Sequence, residues 1–217
     1  MIYQQHGCES LTCGESLIYN NTLITDGGGN CIVIGPRLKN TIKNNIMVGC
    51  NGIAHMYGAD FDQTFSDDNV GYNMNTWASR DVPYVAYNLA QYQTAYSRDL
   101  NSTSGNPLLD ANDRLQVGSS AIGTGVNLTS LGITALNSDK DGNSRPASGA
   151  WDIGAYEYTL LRGDLDGDGA VTLADLRLLL SMLLGQTAVN LPAADLDGNG
   201  QLGLGDVRAL LELLVSQ

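Results

Sequence analysis

The feature that most constrains this chain is an acidic segment near its end that begins at Asp164 and occurs again at Asp195. The run Asp-Leu-Asp-Gly-Asp-Gly of the first copy aligns with Asp-Leu-Asp-Gly-Asn-Gly of the second. Across residues 164–186 and 195–217, 12 of 23 positions are identical. Self-similarity over so short a stretch indicates an internal duplication.

Each copy places oxygen-bearing side chains at loop positions 1, 3, 5 and 12, with glycine at position 6. Calcium takes six to eight oxygen ligands, which alternate positions on a sharply turned loop supply. At position 12, aspartate replaces the usual glutamate, and bidentate binding stays possible. The predicted ligands of two calcium ions are Asp164, Asp166, Asp168, Ala170 (carbonyl), Thr172 and Asp175 in the first loop, and Asp195, Asp197, Asn199, Gln201 (carbonyl) and Asp206 in the second. Because Asn199 is neutral and Gly203 has no side chain, the second copy is expected to bind calcium more weakly.

The interval between the loops is too short for an EF-hand pair. Only the segment 176–194 separates them, which accommodates one helix and a connector containing Pro192. Residues 159–162 are too few for a helix entering the first loop. The predicted unit is therefore a loop followed by a helix, twice.

This arrangement resembles the type I dockerin domain, and the resemblance covers residues 163–217. It implies calcium-dependent docking to a cohesin domain of a scaffold protein, as in a cellulosome, in two orientations related by a half turn. In dockerins, loop positions 10 and 11 commonly contact the cohesin. The partner-binding residues assigned on this basis, with the arginines shared by the two copies, are Leu173, Ala174, Arg177, Leu204, Gly205 and Arg208. The leucine-rich helices favour a surface that a partner covers, although they could instead only pack on each other and on the preceding domain.

Upstream, a second repeat has a period of 24 residues. Asn20-Asn21, Asn44-Asn45 and Asp68-Asn69 fall in one register, between short apolar runs. Short β segments separated by Asn and Gly turns at such a period indicate a coiled parallel solenoid with stacked asparagines. The pattern resembles right-handed parallel β-helix proteins of the pectate-lyase-like type, and residues 99–158 resemble the cap that ends many of them.

The predicted fold class is therefore mainly β with a small α module. It consists of a right-handed parallel β-helix stub plus cap, followed by a dockerin of two calcium loop–helix repeats. The predicted domains are residues 1–158, with rungs at about 14–75 and the cap at about 99–158, a linker at 159–162, and the dockerin at 163–217.

The four cysteines, Cys8, Cys13, Cys31 and Cys50, form no C-x-x-C pair, so they do not indicate a zinc or redox site. We interpret Cys31 and Cys50 as small buried apolar residues, with one disulfide as the alternative. Cys8 and Cys13 could staple a minimal lid. The 26 glycines and many asparagines fit a secreted protein rich in turns. Because the first residues do not resemble a signal peptide and the first rung lacks a cap, we expect a fragment of a longer secreted protein.

The charge balance restricts the partners. With 23 acidic and 11 basic side chains, the formal charge is −12, which argues against nucleic acid, because phosphate binding needs a cationic face. No apolar run approaches the length of a membrane span. Two further acidic segments are interpreted without a ligand: the aspartates at 60, 62, 67 and 68 as a solvated loop, and residues 139–143 as a turn.

No recognisable catalytic set is visible, and whether the chain is an enzyme stays open. The expected function is the calcium-dependent, cohesin-docking C-terminal part of a secreted protein that degrades or binds polysaccharide. One alternative is a polysaccharide lyase or glycoside hydrolase active in its own right. Another is a structural protein of the cell surface or extracellular space that uses the tail for assembly.

Overall fold

A computed structural model of the protein describes residues 2–3, 15–26, 28–34, 39–55, 64–81, 83–159, 161–188 and 191–215. The chain divides into two compact units. The N-terminal unit comprises Met1–Leu109 and Gly118–Glu157, and the C-terminal unit comprises Asp110–Val117 and Tyr158–Gln217. The middle segment Asp110–Val117 therefore belongs with the acidic tail.

Within its described residues, the N-terminal unit contains three sheets of four strands each. The strands are β1 (Ile2–Tyr3), β2 (Glu15–Tyr19), β3 (Thr22–Ile24), β4 (Ile32–Ile34), β5 (Lys39–Lys43), β6 (Ile46–Val48), β7 (Ile53–His55), β8 (Thr64–Asp67), β9 (Val70–Tyr72), β10 (Ala78–Asp81), β11 (Tyr84–Tyr87) and β12 (Thr103–Ser104). Their orders are β1-β2-β5-β8, β11-β10-β7-β4 and β12-β9-β6-β3.

The 24-residue period of the sequence is the register of the central strands. Strand β2 pairs in parallel with β5, and β5 with β8, so that Ile18 lies opposite Ile42 and Ile42 opposite Ser66. The pairs β3–β6 and β6–β9 keep the same offset. Alternate side chains point inward, because successive residues of a strand face opposite sides. The buried core contains Ile18, Ile32, Ile34, Ile42, Met47, Cys50, Ile53, Trp77, Ala78 and Tyr92.

An asparagine ladder, formed by Asn21, Asn45 and Asn69 and ended by Asp99, runs along one corner of the sheets. The Oδ1 atom of Asn45 accepts from Asn21 Nδ2 at 2.8 Å, and Asn69 Oδ1 accepts from Asn45 Nδ2 at 3.0 Å. Asn69 Nδ2 donates in turn to Asp99 Oδ1 at 3.2 Å. A carboxamide both donates and accepts, so each rung satisfies the next one.

The predicted fold class is wrong. Strand β1 pairs antiparallel with β2, and β11 pairs antiparallel with β10, so two of the sheets are mixed. A helix, α1 (Leu89–Tyr96), follows β11; Asn88 caps it, accepting from the Gln91 N–H while the Gln91 side chain accepts from the Asn88 N–H. Parallel and mixed sheets with helices make the class α/β-like. It is not the expected mainly β stub of a right-handed parallel β-helix with a cap and a dockerin of two loop–helix repeats. The hairpin and the helix lie beyond the last repeat, where the 24-residue period gave no signal.

The cysteine interpretation is also corrected. Cys31 and Cys50 form a disulfide, with Cα atoms 5.5 Å apart. Residue 31 precedes β4, and residue 50 follows β6, and the chain brings them together beside the core. Cys8 and Cys13 lie outside the described residues.

Residues 119–157 cover part of the N-terminal unit with turns and two short 3-10 helices, Thr129–Leu131 and Thr134–Asn137. Tyr19 packs there with Leu128, Leu136 and Trp151 in a second buried cluster. Irregular chain can cover a sheet in this way only where its backbone groups find partners.

The C-terminal unit contains three helices within its described residues: α2 (Leu173–Leu183), α3 (Leu191–Ala194) and α4 (Leu204–Val215). The expected connector thus forms a short helix of its own, which contains Pro192. The core of this unit consists of Leu165, Val171, Leu179, Met182, Ala193, Ala194 and Leu210. None of the helices in the described ranges has both the length and the apolar character needed to cross a bilayer.

Candidate metal centres

Two clusters of carboxylates could hold metal ions. The first acidic loop, residues 164–175, brings oxygens of Asp164, Asp166 and Asp168 within 4.8 Å of one another. The second acidic loop, residues 195–206, does the same with Asp195, Asp197 and Asp206. The two clusters do not use the same loop positions. The second loop has Asn199 where the first has Asp168, and Asp206 of position 12 belongs to the second cluster, whereas its counterpart Asp175 does not belong to the first.

The position-1 aspartates hold each loop in its turn. In the first loop, Asp164 accepts from the N–H groups of Gly167 at 2.8 Å and Gly169 at 3.0 Å. In the second, Asp195 accepts from Gly198 at 2.8 Å and Gly200 at 2.9 Å. All four glycines have positive φ, which glycine adopts at little cost. The contacts of the first copy thus recur at the equivalent positions of the second.

The position-12 aspartates are fully buried, and each connects the two ends of its loop by hydrogen bonds. Asp175 Oδ1 accepts from the N–H groups of positions 2 and 3, at 2.7 and 3.1 Å, and its Oδ2 accepts from the N–H of position 9 at 2.7 Å. Asp206 makes the same three contacts, at 2.7, 3.1 and 2.7 Å. A carboxylate has about four lone-pair sites. Oδ1 therefore accepts two N–H groups in each loop. Oδ2 of Asp206 accepts one, whereas Oδ2 of Asp175 also accepts from the Thr172 hydroxyl at 3.3 Å, so Asp206 has more free acceptor capacity for a cation than Asp175.

Positions 3 and 5 differ between the loops. Asp166 accepts from the N–H of Asp168 at 3.2 Å. Asp197 accepts from the N–H of Asn199 at 3.1 Å, and its second oxygen also accepts from Asn199 Nδ2 at 2.9 Å. The amide of Asn199 therefore competes with any cation for Asp197. In addition, a Cβ on Gly205 would collide with Asp197 Oδ2, so this carboxylate lies over the first turn of α4.

The remaining predicted ligands lie at positions 7 and 9. The N–H of Ala170 donates to Asp168 at 2.9 Å, and that of Gln201 donates to Asn199 at 2.8 Å, which places both residues inside the loop turns. Thr172 caps α2, and its Oγ1 accepts from Ala174 N at 3.1 Å. The Thr172 hydroxyl thus lies where the first acidic loop meets α2. The second acidic loop has Gly203 at the same position and offers no side-chain oxygen.

The electrostatics of the first loop indicate unbalanced negative charge. Burial, followed by the nearby aspartates, raises the pKa of Asp164, which hydrogen bonds from Gly169 and Gly167 only partly offset. The pKa of Asp166 is raised in the same way. In the second loop, burial acts to raise the pKa of Asp206, but the N–H groups of residues 203, 197 and 196 outweigh it and lower that pKa.

All six predicted partner-binding residues lie at least partly exposed on the surface of this unit. Leu173 and Leu204, at the same loop position, are 68% and 80% exposed. Arg208 donates to Glu212 at 2.9 Å across one turn of α4. Further exposed apolar side chains lie on the helices or, in one case, directly after α2: Leu180, Leu184, Leu211, Leu213 and Val215. Other leucines, among them Leu179 and Leu210, pack between the helices, so the apolar residues serve both a core and a surface.

The segment Asp110–Val117 was missed as part of this region. Val117 lies against Gly167, and the carboxylate of Asp110 lies 3.5 Å from where a Cβ on Gly169 would stand. Asp110 also holds its own turn by accepting from the N–H groups of Asn112 and Arg114. Its Asp-x-x-Asp sequence signals only a turn, and nothing local shows that it lies against the first acidic loop.

In the other acidic segments, the carboxylates of Asp139, Asp67 and Asp68 accept hydrogen bonds or pair with a lysine. Asp139 accepts from the N–H groups of Asp141 and Asn143, which confirms the predicted turn. Asp67 accepts from Asn101, and Asp68 pairs with Lys43 at 3.0 Å. The aspartates at 60 and 62 lie outside the described residues.

Comparison of the chain with family models, curated proteins and solved structures found no match. The geometry of the loops and the chemistry of their residues are therefore what bears on function.

Proposed function

We propose that the C-terminal unit is a calcium-dependent docking module that binds a cohesin domain, as the type I dockerins that its loops resemble do. The chain would then be the docking part of a secreted protein that degrades or binds polysaccharide. One observation carries this proposal. The two acidic loops make the same set of backbone hydrogen bonds, and each presents an exposed leucine at the same position.

Calcium fits the donor set better than other common cations. The loops offer only oxygens, from carboxylates, carbonyls, a hydroxyl and a carboxamide, which suit a hard cation of high coordination number. No histidine or cysteine lies in either loop, as a zinc site would use. The carboxylate oxygens of each cluster lie within 4.8 Å of one another, and two charges at that limit repel by about 1 kcal/mol in water and more where partly buried. A bound calcium ion would neutralise this repulsion, so ion binding contributes folding free energy.

The exposed leucines support docking. Large exposed apolar side chains clustered on a small unit are typical of a protein–protein interface. Because Leu173 and Leu204 occupy equivalent positions, either copy can present the same contact to a partner. Two docking orientations follow from this near-symmetry.

The disulfide supports an extracellular location, since disulfides persist in oxidising compartments. Millimolar extracellular calcium saturates even weak sites of this type. The polysaccharide connection rests on the resemblance of the chain to carbohydrate-active secreted proteins alone.

Calorimetric titration of the full chain with calcium tests the metal sites. We expect two sites per chain, the first tighter than the second. Asp166→Asn should weaken only the first and Asp197→Asn only the second. The absence of any binding heat, or calcium affinities that neither substitution changes, would contradict calcium binding at these loops.

Capture by a panel of cohesin domains, in calcium and in chelator, tests docking. With two orientations available, Leu173→Asp and Leu204→Asp should each retain binding, whereas the double variant should lose it. Leu131→Asp, which changes an exposed leucine of the N-terminal unit, is the matched control. Absence of capture across the panel, or capture that persists in chelator, counts against docking.

A further inference from the structure

Three successive turns of the N-terminal unit place an Asx residue at one corner in the left-handed conformation. Asn20, Asn44 and Asp68 have φ values of 53°, 56° and 56°. Each of them directly precedes a residue of the asparagine ladder, so they share its 24-residue spacing. Because the three residues share one backbone conformation, they differ only in the type and the contacts of their side chains.

Asn44 clamps the main chain of one residue. Its Nδ2 donates to the carbonyl of Val126 at 2.7 Å, and its Oδ1 accepts from the N–H of Val126 at 2.9 Å. Both functions of the carboxamide are thus used on a single peptide residue. Asp68, one turn further, pairs with Lys43 instead.

Asn20 has the same carboxamide, but neither its Nδ2 nor its Oδ1 has a hydrogen-bond partner among the residues that the structure describes. The residue is only 8% exposed, and both atoms are shielded from bulk solvent. A buried donor and acceptor left unpaired cost folding free energy. A ligand that supplies both partners recovers that cost, which gives the position a reason to bind.

Asn20 lines a cavity of about 360 Å³ between its own turn and residues 135–155. Among the lining residues, Asn20, Leu136 and Arg145 are buried, whereas Ala135 and Lys140 are exposed. Arg145 contributes a second orphan group. Its Nη2 donates to the carbonyl of Gly154 at 2.9 Å and its Nη1 pairs with Glu157, but its buried Nε has no partner within the described ranges of the chain.

We infer that this cavity binds the main chain of an extended peptide segment, which Asn20 clamps as Asn44 clamps Val126. Because both atoms are shielded in the present conformation, the Asn20 side chain has to rotate toward the cavity; the peptide N–H then donates to Asn20 Oδ1, and its carbonyl accepts from Nδ2. A further peptide carbonyl is the acceptor that Arg145 Nε lacks. A simple anion fits less well, because it would leave Asn20 Oδ1 without a donor. All of these residues belong to the N-terminal unit, so peptide binding at this cavity does not require calcium or cohesin binding by the C-terminal unit.

The test is a titration of the ¹⁵N-labelled full chain, in calcium, with acetyl-Gly-Val-Asn-amide, which copies Gly125 to Asn127. We expect saturable shifts of the Asn20 side-chain amide and Arg145 Nε resonances and none at Asn44. Asn20→Gly keeps the left-handed backbone and removes the carboxamide, so it should weaken binding about tenfold or more. Asn73→Gly, at an exposed left-handed position with φ 51°, should leave the affinity unchanged.

Three outcomes overturn the inference. The first is the absence of any saturable shift in the wild-type chain, including the case where only ordered water contacts Asn20. The second is a peptide affinity that Asn20→Gly does not change. The third is an equal or stronger response to methyl glucoside, which would reassign the cavity to polyhydroxylated ligands.

Discussion

The two units use the same type of residue, an Asx repeated at a fixed spacing, with opposite electrical consequences. In the N-terminal unit, the repeated residues of the ladder are carboxamides 24 residues apart, and each one satisfies the next. In the C-terminal unit, the residues repeated from the first acidic loop to the second are mostly carboxylates, which can only accept. The stacked amides satisfy one another's hydrogen bonds. The clustered carboxylates accept the N–H groups that hold their loop, but their negative charge is not neutralised and can attract a cation.

The asparagine ladder itself ends at a carboxylate, that of Asp99. Asp99 is fully buried and accepts from Asn69, Ser66 and Ser102. An acceptor is sufficient there, because no further rung has to receive a hydrogen bond from it. Burial disfavours the charged form of this carboxyl group and therefore raises the pKa of Asp99.

The largest expected effect is at position 12 of the first acidic loop. Asp175→Ala removes the acceptor of three backbone N–H groups, which we expect to cost about 4 kcal/mol in saturating calcium. Glu212→Ala, which removes an exposed ion pair with Arg208 in the same unit and no predicted metal ligand, is the control. Chemical denaturation followed by helical circular dichroism measures both, and equal effects of the two changes would refute the closing role of Asp175.

The matching change in the ladder is Asn45→Ala. Asn45 is fully buried and bonds to Asn21, Asn69 and the carbonyl of Ile18, so its loss should cost about 3 kcal/mol. Asn75→Ala removes an exposed amide pair with Asn51 and should cost little. Unlike the Asp175 effect, the Asn45 effect should not depend on calcium. Calcium dependence of the loss at Asn45 would break the contrast between the two units.

A smaller effect separates two residues of the same corner. Asn44→Gly loses the clamp on Val126 and should destabilise the N-terminal unit by about 2 kcal/mol. Asn20→Gly loses no hydrogen bond and should leave the stability unchanged or slightly higher. Thermal unfolding of both variants in chelator makes the comparison, and equal losses would show that Asn20 has a structural partner.

The smallest expected effect concerns pH. Because the pKa of Asp99 is raised above its ordinary value of 3.8, the folded chain holds the proton more tightly than the unfolded chain. The resulting stability is present below pH 3.8 and is lost as the pH rises through the raised pKa. Asp99→Asn keeps a neutral group of the same shape, so it should stabilise the unit by about 1 kcal/mol at neutral pH. Urea unfolding from acid to neutral pH should show a flatter profile for the variant; a loss of stability at neutral pH would mean that the serine hydrogen bonds outweigh burial.

Local spacing made the acidic loops and the parallel strands predictable. The clustering of Asp164, Asp166 and Asp168 depends on alternation within one loop, and the parallel pairs depend on a repeat visible in the sequence. The hairpin of β10 and β11 and helix α1 were missed, although Asn88 and Gln91 carry a capping signal.

Contacts between distant segments could not be predicted. The position of Asp110–Val117 against the first acidic loop depends on packing between residues far apart in the chain. Burial alone did not distinguish Cys31 and Cys50 as a disulfide from two packed thiols. The unpartnered amide of Asn20 is likewise invisible in sequence, since Asn20 and Asn44 look equivalent there.

The most direct test of the contrast between the units is a calcium titration of the ¹⁵N-labelled full chain, starting in chelator and followed by amide spectra and circular dichroism. We predict that the amides of residues 163–188 and 191–215 lose their folded dispersion in chelator and regain it, together with the helical signal, as calcium is added. Those of the sheets in the N-terminal unit should stay folded throughout. A C-terminal unit that keeps its helices and dispersed amides without calcium, or sheets that unfold when calcium is removed, would contradict it.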